Sequence, residues 1–122
     1  MTFTHMNEAG YGRMVNVTDK KSTHRIAIAQ GKIRMQKKTL DAVKNGAIQK
    51  GDVLQVAQIA GVMGAKQTDR LIPLCHPLPL TGVDLAFHFD EDGIVVRSAV
   101  QTEGKTGVEM EALTAVSTAL LT

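Results

Sequence analysis

The sequence predicts an α+β fold, an antiparallel sheet with helices packed on one face, and two patterns carry that expectation. Val83, Leu85, Phe87 and Phe89 alternate with Asp84, Ala86, His88 and Asp90, Asp92-Gly93 supplies a turn, and Ile94 to Thr102 returns as the second strand of a hairpin. Two other stretches, beginning at Val53 and at Val108, instead repeat their apolar residues at helical spacing. Strands paired locally and interleaved with helices give helices on a sheet rather than a barrel or a bundle.

Taken in order, residues 1 to 13 are polar and Gly-containing, with His5 as a candidate ligand and a mobile tail as the default. Met14 to Val17 is expected to form a short strand closing at Thr18-Asp19. The basic group Lys20, Lys21, His24 and Arg25 leads into Ile26 to Met35, where Ile26 and Ile28 alternate with Arg25, Ala27 and Ala29. That is a half-buried strand, with Gly31 as the place for a bulge. Thr39 to Lys44 predicts a short helix stopped by Asn45-Gly46.

Asp52 is placed to cap a helix from Val53 to about Ala65. Its apolar face is expected to run Val53, Val56, Ala57, Ala60, Met63 and Gly64, and its many small residues call for a close neighbour. Lys66 at the exit suits the negative end of the helix dipole. The stretch 71–80 then holds all three prolines and the single cysteine. Each proline lacks an N–H and pushes the residue before it toward extended geometry, so a stiff, extended, mostly buried arm carrying Cys75 and His76 is expected. After the hairpin, Thr106-Gly107-Val108-Glu109 has the form of a capping box opening the last helix, whose apolar positions are Ala112, Val116, Ala119 and Leu120. That helix reaches Thr122 with no Gly, Asn or basic last turn to close it, which reads as a cut rather than a natural terminus.

Composition narrows the function classes. A chain of 122 residues, 43% hydrophobic and 21% charged, is expected to be one domain spanning 1–122. One cysteine allows no internal disulfide and no Cys-based zinc site, no apolar run reaches a membrane span, and the start lacks a secretory pattern, so a cytoplasmic protein is expected. Net charge is +2, yet the part up to Arg70 carries +7 and the remainder −5. That asymmetry suits a site needing both signs or complementary subunit surfaces. The four aromatics, Phe3, Tyr11, Phe87 and Phe89, are too dispersed to stack bases, which disfavours nucleic acid. His5, His24, His76 and His88 show no ligand spacing, so no metal site is expected.

The chemistry-bearing residues are distributed. Gly104-Lys105-Thr106 resembles the end of a phosphate loop, but Ala99 stands where its first glycine belongs and the preceding strand is part of a hairpin. What remains is a helix start that offers N–H groups and a cation to an anion. Glu109 and Glu111 are two apart on a helix and should point to opposite sides. Cys75 and His76, adjacent in extended chain, should leave opposite faces and make a poor nucleophile and base for each other. His88 belongs to the polar side of its strand. Arg25, Lys50, Lys66 and Lys105 as cations, with His76 and Glu111, point to an anionic, nucleotide-like small molecule, bound or transformed.

Four blocks carry a resemblance: Lys50-Gly51-Asp52-Val53, the helix 57–61, the stretch 71–78, and Gly104 to Ala115. With Thr4-His5 and Met14 to Val17, they resemble the cyclic pyranopterin monophosphate synthase family, molybdenum cofactor biosynthesis protein C. The resemblance implies a ferredoxin-like fold assembled as a hexamer, a trimer of dimers, with sites at the dimer interface. It implies conversion of (8S)-3',8-cyclo-7,8-dihydroguanosine 5'-triphosphate to cyclic pyranopterin monophosphate with release of diphosphate, without metal or organic cofactor. By motif position it makes Lys50 catalytic and Arg25, Lys66, Leu74, Cys75, His76, Met110 and Glu111 substrate-binding. The family's catalytic Asp and a second essential Lys lie in a segment beyond Thr122, so the 122 residues alone are expected to be inactive. The alternative is a non-catalytic phosphate-binding or oligomer-forming module with the same fold.

Overall fold

The computed structural model describes residues 9–19, 21–46 and 52–122. Its elements are β1 (Thr23–Arg34), α1 (Lys37–Lys44), α2 (Val53–Lys66), α3 (Thr68–Leu71), β2 (Leu80–Phe89), β3 (Gly93–Gly104) and α4 (Glu109–Leu121). Among the described residues the strands form one antiparallel sheet in the order β1-β3-β2, with β3 in the centre. Helices α2 and α4 lie against one face of it. This is the α+β arrangement the alternating strands and spaced helices predict, consistent with a ferredoxin-like fold.

Local signals explain most element ends. Gly46 adopts φ +67, the left-handed turn that ends α1, and the Asn45 N–H donates to Asp41 O at 2.9 Å. The Asp52 carboxylate accepts from the Gln55 N–H at 3.2 Å, capping α2. Thr68 then donates its hydroxyl to Gly64 O and Ala65 O, which closes α2 and opens the single turn of α3. The hairpin forms as expected, and Lys32 of β1 ties its turn by bonding Asp90 and Asp92.

The core runs between the sheet and two helices. Val96 and Val100 of β3 meet Ala112, Ala115, Val116 and Ala119 of α4 and Ala57 and Ala65 of α2, with Val83, Leu85 and Phe87 of β2 at the margin. Small residues set the spacing. A Cβ on Gly61 would press on Leu85 and come within 3.1 Å of Ala115 O, and one on Gly31 would lie 2.8 Å from Leu120 and Val116. Neither glycine has a positive φ; closeness of the neighbouring element is their reason.

Several expectations are corrected. Met14 to Val17 is not a strand; the Asn16 side chain accepts both the N–H and the hydroxyl of Thr18, a local turn that competes with any ladder. Gly31 carries no bulge, because β1 pairs with β3 in unbroken register, and the irregularity falls between Leu80 and Gly82 instead. In β1 the covered side is Ala27, Ala29 and Gly31, while Ile26 and Ile28 are each 55% exposed. The buried face of α2 is Ala57, Gly61, Gly64 and Ala65, with Val56 and Met63 turned outward. In both elements close helix contact selects small side chains over greasy ones. The proline stretch is a partly exposed strap rather than a mostly buried arm: Leu71 ends α3, Ile72 is extended as the proline after it requires, a turn follows, and strand β2 begins at Leu80. The capping box is absent; Val108 occupies the N-cap of α4 without a side-chain bond, and the Glu109 carboxylate folds back over Gly107. His5 and Lys50 lie outside the described residues.

Candidate functional site

Where the strap leaves α3 and returns to the sheet, it faces the start of α4 across a cavity of about 310 Å³. Leu74, Cys75, His76 and Leu78 form one wall, Thr106 to Glu111 the other, and Val15, Val17 and Arg25 complete the lining. Six of the predicted residues therefore converge here: Arg25, Leu74, Cys75, His76, Met110 and Glu111. Lys66 lines a separate groove with Leu80 and Gly82, divided from the cavity by Leu78. Sequence reasoning did not place Val15, Val17 or Thr106 in the site. Nothing in spacing links residue 15 to residue 110.

Backbone carbonyls hold two of the cations. Arg25 donates from Nε to Gly104 O at 3.3 Å, which orients the guanidinium and leaves its terminal nitrogens for an anion. Lys105 behaves otherwise than expected: its amine donates to Thr18 O at 3.1 Å, so it fastens the segment that carries Val15 and Val17. His76, half-buried, lines both the cavity and an adjoining groove beside Lys105.

The acidic side is unusual. Glu111 is only 4% exposed. Burial pushes its carboxyl above the ordinary glutamate range, and the negative charges of Glu109 and Asp69 push the same way against a lowering backbone hydrogen bond. Glu109 and Glu111 line the same cavity, although helical spacing predicts opposite sides; the fold-back of Glu109 over Gly107 in the first turn accounts for it. Burial also raises the Cys75 thiol, helped by Glu111 and Asp69. A thiol kept protonated is a poor nucleophile, so Cys75 serves as lining. His88 is exposed on the polar side of β2, as read from its strand pattern.

Two buried hydroxyls of β3 reach the two walls. Thr102 donates to Pro79 O at 2.7 Å on the strap, and Ser98 donates to Ala112 O at 2.8 Å on α4. Both residues fall on the inward side of the strand pattern Ile94, Val96, Ser98, Val100, Thr102, a legible sign that sequence reasoning passed over. Among the described residues no group of three or more His, Cys, Asp or Glu side chains is arranged to hold a metal ion. No helix there is long and apolar enough to cross a membrane.

Fold and cavity together define an α+β protein whose cavity is lined by a guanidinium tied to the backbone, an imidazole and a carboxyl held above its ordinary range. Residues 14–122 match the MoaC family. The chain is 61% identical over 124 residues to the cyclic pyranopterin monophosphate synthase of Syntrophomonas wolfei, covering 100% of this chain and 79% of that one. It is 57% identical to the protein of that name from Brevibacillus brevis, with 98% and 75% covered, and 54% identical to that from Clostridium acetobutylicum, with 98% and 76% covered. The chain belongs to the MoaC family.

Proposed function

We propose that this protein is a lyase of molybdenum cofactor biosynthesis, converting (8S)-3',8-cyclo-7,8-dihydroguanosine 5'-triphosphate to cyclic pyranopterin monophosphate with release of diphosphate. The observation that carries the reading is the convergence of Arg25, His76 and Glu111, drawn from three distant parts of the chain, on one cavity. Arg25 and His76 offset charge that builds on the departing diphosphate, an electrostatic contribution made where charge develops. Glu111, holding its proton more tightly than an ordinary glutamate, exchanges protons as the rings open and close. Leu74, Cys75 and Met110 shape the pocket around the base. Lys50 is assigned catalysis and Lys66 the outer phosphates on family motif positions.

The same reading makes the protein a homo-oligomer, a hexamer built as a trimer of dimers, working in the cytoplasm. Support for self-association comes from the open face of the sheet, where exposed Ile28 and Ile26 stand opposite Ala99 and Gln101, and Arg97 and Asp84 carry no ion pair among the described residues. A single cysteine fits a reducing compartment.

The test is turnover of the cyclised triphosphate, followed by mass spectrometry of the pterin product and by diphosphate release. The 122-residue chain and the same chain carried to the relatives' length are assayed side by side. Product from either supports the reading. Binding of the triphosphate with no product from either would reduce the protein to a non-catalytic binding module.

A further inference from the structure

We propose that Thr102 is a positioning residue for the cavity: its buried hydroxyl, bonded to Pro79 O, holds the strap that carries Cys75 and His76 in register with Arg25. Thr102 sits on the central strand with 0% exposure, and its register partners are Arg25 on one side and Leu80, the first residue after the strap, on the other. It is thus the point at which two parts of the cavity lining meet the sheet.

The strap needs such a tie. Pro77 and Pro79 have no N–H to give a ladder. Its upstream end is closed by the Cys75 N–H donating to Ile72 O at 3.1 Å, within the strap itself. At its downstream end the pairing of β2 with β3 slips between Leu80 and Gly82, so the ladder is irregular where the strap joins the sheet. The Thr102 hydroxyl grips Pro79 O at 2.7 Å just ahead of that slip. Packing alone does not ask for a hydroxyl here. Valine has the same shape, and a hydroxyl on a buried strand face costs free energy unless it is bonded.

The catalytic half of the test rests on the proposed function, whereas the structural half does not. Cys75 is the only cysteine in the chain, so reaction of the native protein with a disulfide reagent such as Ellman's reports on the strap alone. Thr102→Val removes the hydroxyl and keeps the shape, and Thr102→Ser keeps the hydroxyl. Val100→Ala weakens the same strand by opening space in the core while leaving the Thr102–Pro79 hydrogen bond in place. Thr102→Val is expected to react about fivefold faster or more, the factor carried by one neutral hydrogen bond, with Thr102→Ser and Val100→Ala within about twofold of wild type. In turnover Thr102→Val raises KM by a similar factor, and the serine restores it. If the valine variant yields too little folded protein, Thr102→Ala serves in its place. Wild-type thiol reactivity in Thr102→Val, or equal acceleration in Val100→Ala, would overturn the proposal. Wild-type protein that makes no product would overturn the proposed function instead, leaving the thiol result to decide on Thr102.

Discussion

Alanine at Gly64 would place a methyl group between α2 and α4. On an exposed helix the exchange gains about 1 kcal/mol in helix propensity. Here the new Cβ would press on the Thr118 hydroxyl, 2.8 Å from Thr118 Cβ and 3.2 Å from Thr114 O. Carbon atoms pack best near ~3.5–4.0 Å, so one helix must move or Thr118 must turn. Turning Thr118 breaks its 2.7 Å bond to Thr114 O, a loss of about 1 kcal/mol. Overpacking of this kind costs roughly 1–3 kcal/mol, and with the lost bond set against the propensity gain the net destabilisation is about 1–3 kcal/mol. For a domain of this size that lowers the melting temperature by roughly 4–12 °C. Thermal melts followed by circular dichroism, with urea titration for the free energy, measure it directly. Thr118→Ala in the same chain should recover part of the loss, since touching residues couple by about 0.5–3 kcal/mol. A Gly64→Ala protein as stable as wild type would refute the close approach of α2 and α4.

Three further outcomes follow from charged groups. The folded state holds the Glu111 proton more tightly than the unfolded chain, so this group's contribution is most favourable below pH 4.5, falls as the unfolded state ionises, and levels off above the folded pKa. Glu111→Gln should therefore gain melting temperature relative to wild type between pH 4 and pH 7, while losing turnover; a constant difference across that range would contradict the assignment. Asp90 and Asp92 behave oppositely, their hydrogen bonds to Lys32 lowering both, so their contribution is present above about pH 3.8 and lost as pH falls through the folded values. Lys32→Gln should flatten that acid limb in a pH series of melts. Arg25→Gln should weaken triphosphate binding roughly 10- to 100-fold by calorimetry, the range of a charge-assisted hydrogen bond, with the fold retained.

What could be read from the sequence was local. The hairpin, the Asn45-Gly46 stop and the Asp52 cap each depend on a few adjacent residues, and all three are where their chemistry puts them. The side of β1 that faces the core was not legible, because hydropathy ranks isoleucine above alanine whereas a helix resting on Gly31 excludes larger groups. The same competition turned Val56 and Met63 outward on α2. Thr106 and Glu109 have the spacing of a cap, yet Val108 takes the N-cap position, the helix starts at Glu109, and the Glu109 carboxylate lies over Gly107. As for the cavity, Arg25, His76 and Glu111 meet through tertiary packing; their chemistry grouped them as a set for an anionic ligand, and the family resemblance alone assigned them to one pocket. Lys66, grouped with them, faces the neighbouring groove.

Whether the cavity between the strap and α4 receives the cyclised triphosphate is decided by a crystal structure of the protein with that ligand or a non-reacting analogue. Phosphate oxygens are expected within hydrogen-bond distance of Arg25 and His76, and the ring system against Met110 and Glu111. A ligand seated wholly in the Lys66 groove, with the Arg25 guanidinium unengaged, would contradict that placement.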